Sequence, residues 1–464
     1  MKLGSLIACD KHIGQLDVMG ITDNSKSVKD GFVFFDVHNN PQYCADAVKN
    51  GAIALVVENK ANFKNEIVVK NTVLAFGETA AKWFNNPLGN MKLIGVTGTN
   101  GKTTVTYLIK EILEKAGKKV GVIGTIQNII CGEVLPSVNT TPNAYELNRL
   151  FALMKEKGCE YVVMEVSSHA LAMGRVEALH FDTAVFTNLT QDHLDYHQNM
   201  ENYYLAKKKL FSMCDNAVIN IDDDYGKRLY SEANCNKVSV SLKNADYVAK
   251  SLNLQAKYVD YTVFSDKIDR IKVKLPGVFS VYNSLISIAV VDILGINRCV
   301  TISALENFDG VKGRAEVLKN TGDFTVVIDY AHTPDGLKNI LKTFKECPKN
   351  RLIVLFGCGG DRDKTKRPIM GEVASLYADY LIITSDNPRT EDPADIINDI
   401  LKGVLPTKPH KVIEKREEAI KFALSIMKKD DIIILAGKGH ETYQIIGKEK
   451  IYFDEREVVY QALS

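Results

Sequence analysis

The sequence has few of the features that mark disulfide-rich, nucleic-acid-binding or membrane proteins. Its nine cysteines include no C-x-x-C pair, so we expect reduced, mostly buried thiols rather than a structural zinc site or a disulfide framework. The 58 basic residues are balanced by 57 acidic ones, which gives a formal net charge of +1. This balance argues against a broad surface for nucleic acid or lipid headgroups.

Long apolar runs are also missing. No stretch approaches the roughly 18 apolar residues that span a bilayer, and no long apolar segment follows Met1. We therefore expect a soluble, cytoplasmic chain without membrane insertion. Hydrophobic residues still make up 45% of the 464 residues, which is enough to fill sizeable cores.

Short apolar runs alternate with amphipathic helical stretches, and this order predicts an α/β protein with largely parallel sheets. At roughly 150 residues per domain the length indicates about three domains. A turn-rich stretch near residue 87 separates a first domain, 1–89, from a central domain, 90–315, and a Rossmann-like third domain covers 316–464. The third domain lacks G-x-G-x-x-G after its first strand. The predicted strands are 31–35, 52–57, 93–96, 120–123, 161–164, 183–186, 217–220, 324–328, 351–356, 380–384 and 431–435.

The most informative motif is a glycine-rich turn between a strand and a helix. It consists of Gly98, Thr99, Asn100, Gly101, Lys102, Thr103 and Thr104. After it, apolar residues at 105, 108, 109, 112, 113 and 116 repeat along one helix face, and Gly117 suits the helix end. Backbone amides of such a turn bind phosphates, Lys102 can reach the terminal phosphates of ATP, and Thr103 can bind Mg²⁺. The turn departs from the strict phosphate-loop pattern because Val96 replaces the first glycine.

Three further segments could complete a nucleotide site. Glu165 follows the predicted strand 161–164, and a carboxylate at that depth needs a partner such as a metal ion. The Asp- and His-rich segment 187–197 follows another strand and can supply metal ligands, although alone it is as often structural or solvated. The triple lysine 207–209 is by itself typical of a solvated helix face.

Together these segments resemble the Mur ligase family, the ATP-dependent amide ligases of peptidoglycan precursor synthesis. The similarity covers nearly the whole chain, in order. The matching stretches are TGTNGKTT at 97–104, NTTP at 139–142, MEVSSHAL at 164–171, TNLTQDHLDYH at 187–197, YLAKKKLF at 204–211, VYNSLISI at 281–288, GRAE at 313–316, DYAHTPDGL at 329–337, GCGGDRDKTKRP at 357–368, DNPRTEDP at 386–393 and AGKGHETYQ at 436–444.

The resemblance implies a UDP-binding first domain, a central ATPase and a C-terminal domain that binds an amino acid. ATP would phosphorylate the D-Glu carboxylate of UDP-N-acetylmuramoyl-L-Ala-D-Glu, and an amine of meso-2,6-diaminopimelate would attack the acyl phosphate. Lys207 matches the family lysine that CO₂ converts to a carbamate, so Mg²⁺, in two ions, would be held by Thr103, Glu165, His193 and the Lys207 carbamate. Lys208 and Lys209 keep the surface interpretation.

The resemblance assigns further residues to the nucleotide and to the UDP-linked substrate. Arg314 would join Lys102 in neutralising charge, Asn283 would lie near the adenine, and Asp329 would contact the ribose. The residues that match UDP-substrate positions are Ser25, His38, Asn39, Asn40, Asn139, Thr140, Thr141, Ser167, Met173 and Arg175. The family often has glutamine at the position of Met173. It often has arginine where this chain has Lys26, whose point charge does not replace a bidentate fork, so Lys26 is left out.

For the amino acid, the resemblance points to Asp386, Asn387, Pro388 and Arg389. Diaminopimelate carries a far carboxylate that lysine lacks, and a planar arginine pairs with a carboxylate through two parallel hydrogen bonds. Arg389 is therefore the expected contact of that carboxylate. The other matching positions are Arg362, Gly437 and Glu441, and Glu441 could bind the distal ammonium.

Three alternatives stay open at this point. The first is the same ligase with L-lysine or another diamino acid as substrate, which Arg389 disfavours. The second is a folylpolyglutamate-type ligase, an assignment that does not explain the DNPR and GKGHE stretches. The third is a non-catalytic phosphate-loop module or regulatory NTPase, against which the intact Lys102, Glu165, His193 and Lys207 speak. We further expect a monomer.

Overall fold

In the computed structural model, which describes residues 1–60 and 62–464, the chain divides into two units, Met1–Ser239 and Val240–Ser464. The predicted division into three domains at residues 89 and 315 stays a prediction. Among the described residues, no helix has both the length and the apolar character needed to cross a membrane. All nine cysteines are free thiols and five of them are buried, as expected from their spacing.

The first unit begins with a four-stranded parallel sheet. Its strands are β1 (Gly20–Thr22), β2 (Phe32–Phe35), β3 (Ala52–Val57) and β4 (Glu66–Val68), and its helices are α1 (Lys11–Gly14), α2 (Pro41–Lys49) and α3 (Thr72–Trp83). The strands pair in chain order. Val33 and Phe35 pack into one core and Phe34 into another. Because both faces of the sheet are covered, β2 is apolar throughout rather than alternating.

A larger sheet occupies the rest of this unit. Its strands are β5 (Lys92–Thr97), β6 (Val120–Ile123), β7 (Gln127–Ile130), β8 (Glu133–Pro136), β9 (Tyr161–Glu165), β10 (Phe181–Phe186) and β11 (Cys214–Asn220). They follow the order β11-β10-β5-β9-β6-β7-β8. The pairs from β11 to β6 are parallel, whereas β7 and β8 form an antiparallel edge. The helices are α4 (Lys102–Lys115), α5 (Ala144–Glu156), α6 (Ser168–Ala172), α7 (Leu194–His197), α8 (Met200–Lys208) and α9 (Asp224–Glu232).

The helix predicted after the glycine-rich turn is confirmed. Gly101 is the N-cap residue of α4, and Ala116 is the C-cap residue. Gly117 follows with a φ of +77°, the left-handed conformation in which glycine commonly ends a helix. The predicted apolar face from Val105 to Leu113 is buried. Because α4 begins only a few residues after β5 ends, its first turn lies at the carboxyl edge of the sheet.

The second unit starts within β12 (Asn236–Ser241) and continues with an antiparallel meander that the sequence analysis missed. Its strands are β13 (Tyr247–Leu254), β14 (Val259–Phe264) and β15 (Ile268–Val273), followed by α10 (Val278–Ile293) and α11 (Arg298–Asn307). β12 pairs parallel with β13, and the next two pairs are antiparallel. Val259, Tyr261 and Val263 are buried at every second position of β14, so an alternating signal was present in the sequence.

The C-terminal part of the second unit contains a six-stranded sheet and a hairpin. The strands are β16 (Glu316–Val317), β17 (Thr325–Asp329), β18 (Leu352–Phe356), β19 (Tyr380–Ile383), β20 (His410–Val412) and β21 (Ile432–Ala436); the hairpin is β22 (Tyr443–Ile446) and β23 (Glu449–Tyr452). The helices are α12 (Pro334–Lys345), α13 (Lys366–Tyr377), α14 (Pro393–Leu401), α15 (Arg416–Ser425) and α16 (Glu455–Leu463). The order is β16-β17-β21-β18-β19-β20, with only the β16–β17 pair of this sheet antiparallel in the described chain. This confirms the predicted parallel α/β layers.

Candidate active site

Three neighbouring parallel strands deliver the central candidate residues to one edge of the sheet. In the order β10-β5-β9, the loop 187–193 follows β10, the glycine-rich turn follows β5, and Glu165 ends β9. Carboxyl ends of parallel strands share an edge, where open α/β sheets bind ligands. The structure therefore brings together the three segments that the sequence analysis placed after strands.

The shape of the glycine-rich turn depends on two positions that favour glycine. Gly98 has a φ of +146°, and a Cβ atom there would lie 1.9 Å from Oγ1 of Thr187. Gly101 has a φ of +87° directly before α4. The backbone amides at the start of a helix carry partial positive charge and lack partners within the helix. The turn and the first residues of α4 thus form a cradle of the kind that suits phosphate, and phosphate binding there stays a prediction.

Asn188, in the loop after β10, and Tyr203 of α8 hold this cradle. The backbone N–H groups of Thr99 and Asn100 donate to the backbone and side-chain oxygens of Asn188 at 2.9 and 3.0 Å. Oγ1 of Thr99 lies 3.1 Å from the hydroxyl of Tyr203. Nζ of Lys102 folds back onto the carbonyl oxygens of Gly98 and Thr99 at 2.9 Å each. The lysine therefore lies over the turn to which the phosphates would bind.

Glu165 is buried, with 1% exposure, among hydroxyl groups. Its Oε2 accepts hydrogen bonds of 3.0 Å from Oγ1 of Thr103 and from Oγ1 of Thr125, and its Oε1 accepts one from the Thr125 amide at 2.9 Å. Oγ1 of Thr140 lies 3.1 Å from the Thr125 hydroxyl. The Glu165 carboxylate and the surrounding threonine hydroxyls give a set rich in hard oxygen atoms, and no cation of the protein donates to Glu165 in these hydrogen bonds. Such a set fits Mg²⁺.

Lys207 differs from the two lysines beside it. Its side chain is buried in α8, and its Nζ donates to the carbonyl oxygen of Gly98 at 2.8 Å and lies 4.7 Å from the centre of the Tyr203 ring. Burial, reinforced by Lys102, holds the pKa of Lys207 well below its ordinary value. A neutral amine can react with CO₂, so the site fits the predicted carbamate. Lys208 instead pairs with Glu232 near the surface at 2.8 Å.

His193 stands at the start of α7 within a group of aromatic side chains. Its Nε2 lies 3.4 Å from Oδ2 of Asp192, and its ring meets the His169 ring edge-on at 4.8 Å. Burial lowers the pKa of His193, partly opposed by Asp192, so the imidazole is neutral and able to bind a metal. Burial also lowers the pKa of His197 to about 4, and its ring stacks on Tyr203 at 5.0 Å.

Among the described residues, no group of three or more His, Cys, Asp or Glu side chains is arranged to hold a metal ion. The predicted magnesium set is of another kind, since Thr103 and the Lys207 carbamate would supply two of its four members. It stays a prediction.

The central residues predicted for the UDP-substrate lie beside Glu165. Oγ1 of Thr141 donates to the Glu165 carbonyl at 2.8 Å and accepts from the Ser167 amide at 3.0 Å. A guanidinium nitrogen of Arg175 donates to the Thr141 carbonyl at 2.9 Å, and another lies 3.5 Å from the Met173 sulfur. The carbonyl of Asn139 accepts from the Ser137 hydroxyl at 3.2 Å. With Thr140, whose hydroxyl lies 3.1 Å from that of Thr125, all six predicted central residues are therefore gathered around the end of β9.

The first-domain residues form a second group. Asn40 caps α2 by accepting from the Gln42 amide at 3.0 Å, and Asn39 donates to Glu58 at 3.1 Å with a φ of +52°. The ring of His38 lies 6.0 Å from that of Tyr43. Ser25 is buried, and its carbonyl accepts from Asn50 at 3.0 Å. These contacts order the loop that the resemblance assigns to the uridine end.

Asp23, which no sequence motif indicated, connects the two groups. Burial raises the pKa of Asp23, and Asn143, His38 and Arg175 act in the opposite direction. Nδ2 of Asn143 donates to both carboxylate oxygens at 3.1 and 3.3 Å. Because the charges of His38 and Arg175 both lower the pKa of Asp23, we infer that the first-domain loop and the Arg175 side chain lie near the same carboxylate.

In the second unit the predicted amino-acid residues again follow neighbouring strands. In the order β17-β21-β18-β19, Gly437 follows β21, Arg362 follows β18 and Asp386 follows β19, while Asp329, predicted for the ribose, ends β17. A guanidinium nitrogen of Arg389 donates to the Gly360 carbonyl at 2.7 Å.

Two contacts connect these loops more tightly. Nδ2 of Asn387 donates to Oε2 of Glu441 at 3.0 Å. A Cβ atom on Gly437 would lie 2.7 Å from Oδ2 of Asp386. Arg362 is exposed, and the backbone of Pro388 closes against Gly360, where a Cβ atom would lie 1.9 Å from the Pro388 carbonyl. Apart from the exposed Arg362, the predicted residues thus lie together at this end of the sheet, and their contact with an amino acid stays a prediction.

The second unit also carries the three residues predicted to reach the nucleotide. The Asp329 carboxylate accepts from the amides of Ala315 and Ala331 at 2.7 and 2.9 Å, and burial raises its pKa. The guanidinium of Arg314 lies 4.9 Å from the Tyr330 ring centre. Asn283 is buried in α10. Their contact with ATP stays a prediction.

Comparison with known proteins decides the family. The family model "Mur ligase middle domain" matches residues 96–291, and "Mur ligase, glutamate ligase domain" matches residues 313–439. A protein from Caldanaerobacter subterraneus subsp. tengcongensis named UDP-N-acetylmuramoyl-L-alanyl-D-glutamate--2,6-diaminopimelate ligase is 48% identical over 97% of this chain and 95% of its own. The chain belongs to the Mur ligase family.

Two more similar proteins agree with this assignment. A Clostridium tetani protein of the same name is 44% identical over 96% of this chain and 94% of its own. A solved structure, also of that name, superposes with a TM-score of 0.75 at 31% identity, and covers 100% of this chain and 98% of its own. The predicted family, α/β fold and ligase activity are therefore confirmed.

The residues that the sequence analysis missed in this Mur ligase lie in contacts between segments distant in sequence. Thr125 holds Glu165 from 40 positions away, and Tyr203 reaches Thr99 from 104 positions away. Asn188 stands within a stretch that carried the resemblance, so the motif contained it without revealing its role, whereas Tyr203 directly precedes the stretch 204–211. Thr125 belongs to none of those stretches.

Proposed function

We propose that the chain adds meso-2,6-diaminopimelate to the D-Glu carboxylate of UDP-N-acetylmuramoyl-L-Ala-D-Glu, with ATP as the energy source, in peptidoglycan precursor synthesis. The observation that carries this proposal is the 48% identity over 97% of the chain to a relative of that name. The DNPR segment, whose Asn387 contacts Glu441, also supports it, because an arginine and a carboxylate are what a zwitterionic far end requires. Since the reaction consumes ATP, we place it in the cytoplasm.

In the proposed reaction the chain positions two substrates and balances their charge. The backbone amides at the start of α4 and the Lys102 side chain bind the ATP phosphates, so the γ-phosphoryl group is presented to the D-Glu carboxylate. Thr141, Ser167 and Arg175 hold the muramoyl-peptide beside the same edge of β9. The acyl phosphate formed there is attacked by the amine of the amino acid, and phosphate leaves from a tetrahedral intermediate.

A hard cation completes this arrangement. Thr103, Glu165, His193 and a carbamate on Lys207 would hold Mg²⁺, in two ions, which supplies charge neutralisation for the phosphates and the developing oxyanion. The observations in favour are the buried Glu165 among hydroxyl donors and the enclosed Lys207 amine on the carbonyl of Gly98. The carbamate carbon comes from CO₂, and the amine gives up a proton.

An amino-acid panel with the purified enzyme tests the proposal. We expect ATP- and UDP-dipeptide-dependent ADP release with meso-2,6-diaminopimelate, and much weaker turnover with L-lysine. Arg389→Ala should reduce turnover of diaminopimelate more than that of L-lysine, since only the former has a far carboxylate. Arg270→Ala, which removes an exposed arginine paired with Asp260 at 2.6 Å, is the matched control.

The alternatives give different results. Equal or better turnover with L-lysine by the wild type would overturn the diaminopimelate assignment. Activity on a folate with glutamate would indicate a folylpolyglutamate-type enzyme. ATP hydrolysis that is independent of the UDP-dipeptide would indicate a regulatory NTPase.

A further inference from the structure

Lys438 is a buried cation without a part in the proposed reaction. It follows Gly437 after β21, and its side chain is fully enclosed, with 0% exposure. Lysine is almost never buried to this degree unless its charge is compensated, because removing an ammonium from water is costly. The partners of Lys438 therefore decide what it does.

Those partners are the residues predicted to bind the amino acid. Nζ of Lys438 donates to Oδ1 of Asn387 at 3.1 Å and to Oε2 of Glu441 at 3.3 Å. It also lies 3.9 Å from Oδ1 of Asp386 and 5.8 Å from the centre of the Tyr443 ring. One ammonium thus joins the loop after β19 to the loop after β21.

The amide of Asn387 is oriented by this arrangement. Its oxygen accepts from Lys438 and from the backbone amide of Ile445 at 3.0 Å, whereas its nitrogen donates to Oε2 of Glu441 at 3.0 Å. A flipped amide would point its NH₂ at two donors and its oxygen at a carboxylate. Lys438 and Asn387 therefore converge on one Glu441 oxygen and fix the carboxylate from two sides.

The local charge leaves a place for one ligand cation. Asp386 and Glu441 bring two negative charges, and Lys438 brings one positive charge. The neighbouring Arg416 lies 3.8 Å from Asp386 but pairs at 2.8 Å with Glu455. Oδ2 of Asp386 is buried and has no hydrogen-bond partner among the described residues. An acceptor of this kind, in a cluster that is one positive charge short, fits a substrate ammonium.

We propose that Lys438 is a positioning residue for the amino-acid substrate, which holds Asn387 and Glu441 in the orientation that binds the ammonium of a diamino acid. This inference rests on the proposed function for the location of the amino acid. Lys438 itself is enclosed behind Asn387 and Glu441 and acts through them. Its loss should therefore weaken amino-acid binding without affecting ATP or the UDP-linked substrate.

The test compares steady-state constants for all three substrates in Lys438→Met and Lys438→Gln. The amino acid is whichever one the wild type uses best, so a wrong diaminopimelate assignment does not decide this test. We expect KM for the amino acid to rise about 10- to 100-fold, the usual effect of losing hydrogen bonds from a charged group. KM for ATP and for the UDP-dipeptide should stay within about twofold. Lys438→Gln, which keeps a polar side chain, should raise KM for the amino acid less than Lys438→Met.

Two controls separate positioning from general damage. Arg351→Met removes a cation from the buried Asp431 at the opposite end of β18, so it should lower the melting temperature without a selective change in amino-acid KM. In a Glu441→Gln background, Lys438→Met should raise that KM by less than about threefold, because coupled residues are not additive.

The other outcomes overturn the proposal. Amino-acid KM values that match the wild type would show that Lys438 does not position the pocket. A parallel loss in all three KM values and in kcat, as for a destabilised domain, would assign it a structural role. Failure of both variants to fold would assign the same structural role.

Discussion

Nζ of Lys207 donates a hydrogen bond of 2.8 Å to the carbonyl oxygen of Gly98. The lysine belongs to α8 and the glycine to the glycine-rich turn, so this bond ties together segments that are 109 residues apart. Nζ of Lys102 donates to the same oxygen at 2.9 Å. Two amino groups that meet at one carbonyl repel each other when both are charged, which favours the neutral form of the enclosed lysine.

Removal of Lys207 should therefore affect activity far more than folding. We expect Lys207→Ala to lose activity on the order of 100-fold, because the group that would carry the carbamate is gone. Short carboxylates such as formate or acetate should restore part of it by supplying oxygen atoms in the vacated space. The measurement is phosphate release with and without added carboxylate. Near-wild-type activity of this variant would rule out a metal-holding role.

Lys208→Ala is the matched control. Its ammonium pairs with Glu232 at 2.8 Å and is partly solvated, and exposed ion pairs contribute little. We expect near-normal activity without any response to carboxylates. An equal loss in both variants would point instead to damage in α8.

The hydroxyl of Thr103 gives a second prediction. Oγ1 of Thr103 donates to Oε2 of Glu165 at 3.0 Å, so Thr103→Val removes a hydroxyl while it keeps the shape of the side chain. We expect the Mg²⁺ concentration for half-maximal activity to rise about tenfold or more, since Thr103 would itself hold the ion and even the partners of a metal ligand typically contribute about tenfold. A magnesium titration of the initial rate measures it.

Thr106→Val serves as the control on the same helix. Oγ1 of Thr106 is buried and has no hydrogen-bond partner among the described residues. A valine there should be neutral or slightly stabilising, because no hydrogen bond is lost and a buried polar atom is removed. If both variants respond to magnesium alike, the hydroxyl of Thr103 has no special role.

Local sequence patterns predicted those parts of the fold that depend on local packing. The strands β3 and β6 have the predicted bounds, 52–57 and 120–123, and the apolar period of α4 placed its buried face correctly. The meander β13–β15 was missed, although its alternation was visible. Continuous apolar runs stand out more than alternating ones, and a half-exposed strand such as β15 contains many polar residues.

The candidate site was predictable in its composition but not in its contacts. Motifs indicated Glu165 and Asn387, yet nothing in the sequence indicated that Thr125 would hold the first or Lys438 the second. These contacts depend on which strands are neighbours. The pairing of β6 with β9, or of β18 with both β19 and β21, is a property of the whole sheet. Thr125 and Glu165, 40 residues apart, and Lys438 and Asn387, 51 residues apart, meet only as a result.

Gly437 allows a test of the amino-acid pocket by shape alone. It has a φ of +115°, and a Cβ atom would lie 2.7 Å from Oδ2 of Asp386. We expect Gly437→Ala to raise the KM for the amino acid about tenfold or more, because the carboxylate must move from the position that faces the ligand. Backbone strain should also destabilise the fold by about 1–3 kcal/mol.

Gly322→Ala separates strain from displacement. Gly322 has a φ of +82° with nothing within 4 Å of the added Cβ atom. Backbone strain should lower the melting temperature of this variant, but its KM for the amino acid should be unchanged. If the KM values of the two variants change equally, Asp386 does not contribute to the pocket.

The ion pair of Glu391 with Arg367 predicts an acid-dependent loss of stability. Arg367 is fully buried and donates to the two Glu391 oxygens at 2.8 and 3.0 Å. Its hydrogen bonds lower the pKa of Glu391 from an ordinary 4.5 to about 2. A carboxyl whose pKa is lowered by folding stabilises the folded state above its unfolded pKa, and this contribution is lost as the pH falls through the folded value.

At pH 7 we therefore expect Glu391→Gln to melt several degrees below the wild type, since about 1 kcal/mol shifts the melting of a domain of this size by roughly 2–4 °C. The difference should shrink as the pH falls from about 4.5 to 2, because the wild-type carboxyl takes up its proton there. Glu417→Gln, in an exposed pair with Lys421, should change the melting temperature by less than about 1 °C. A gap between Glu391→Gln and the wild type that stays constant from pH 7 to pH 2 would mean that the charge of Glu391 does not stabilise this domain.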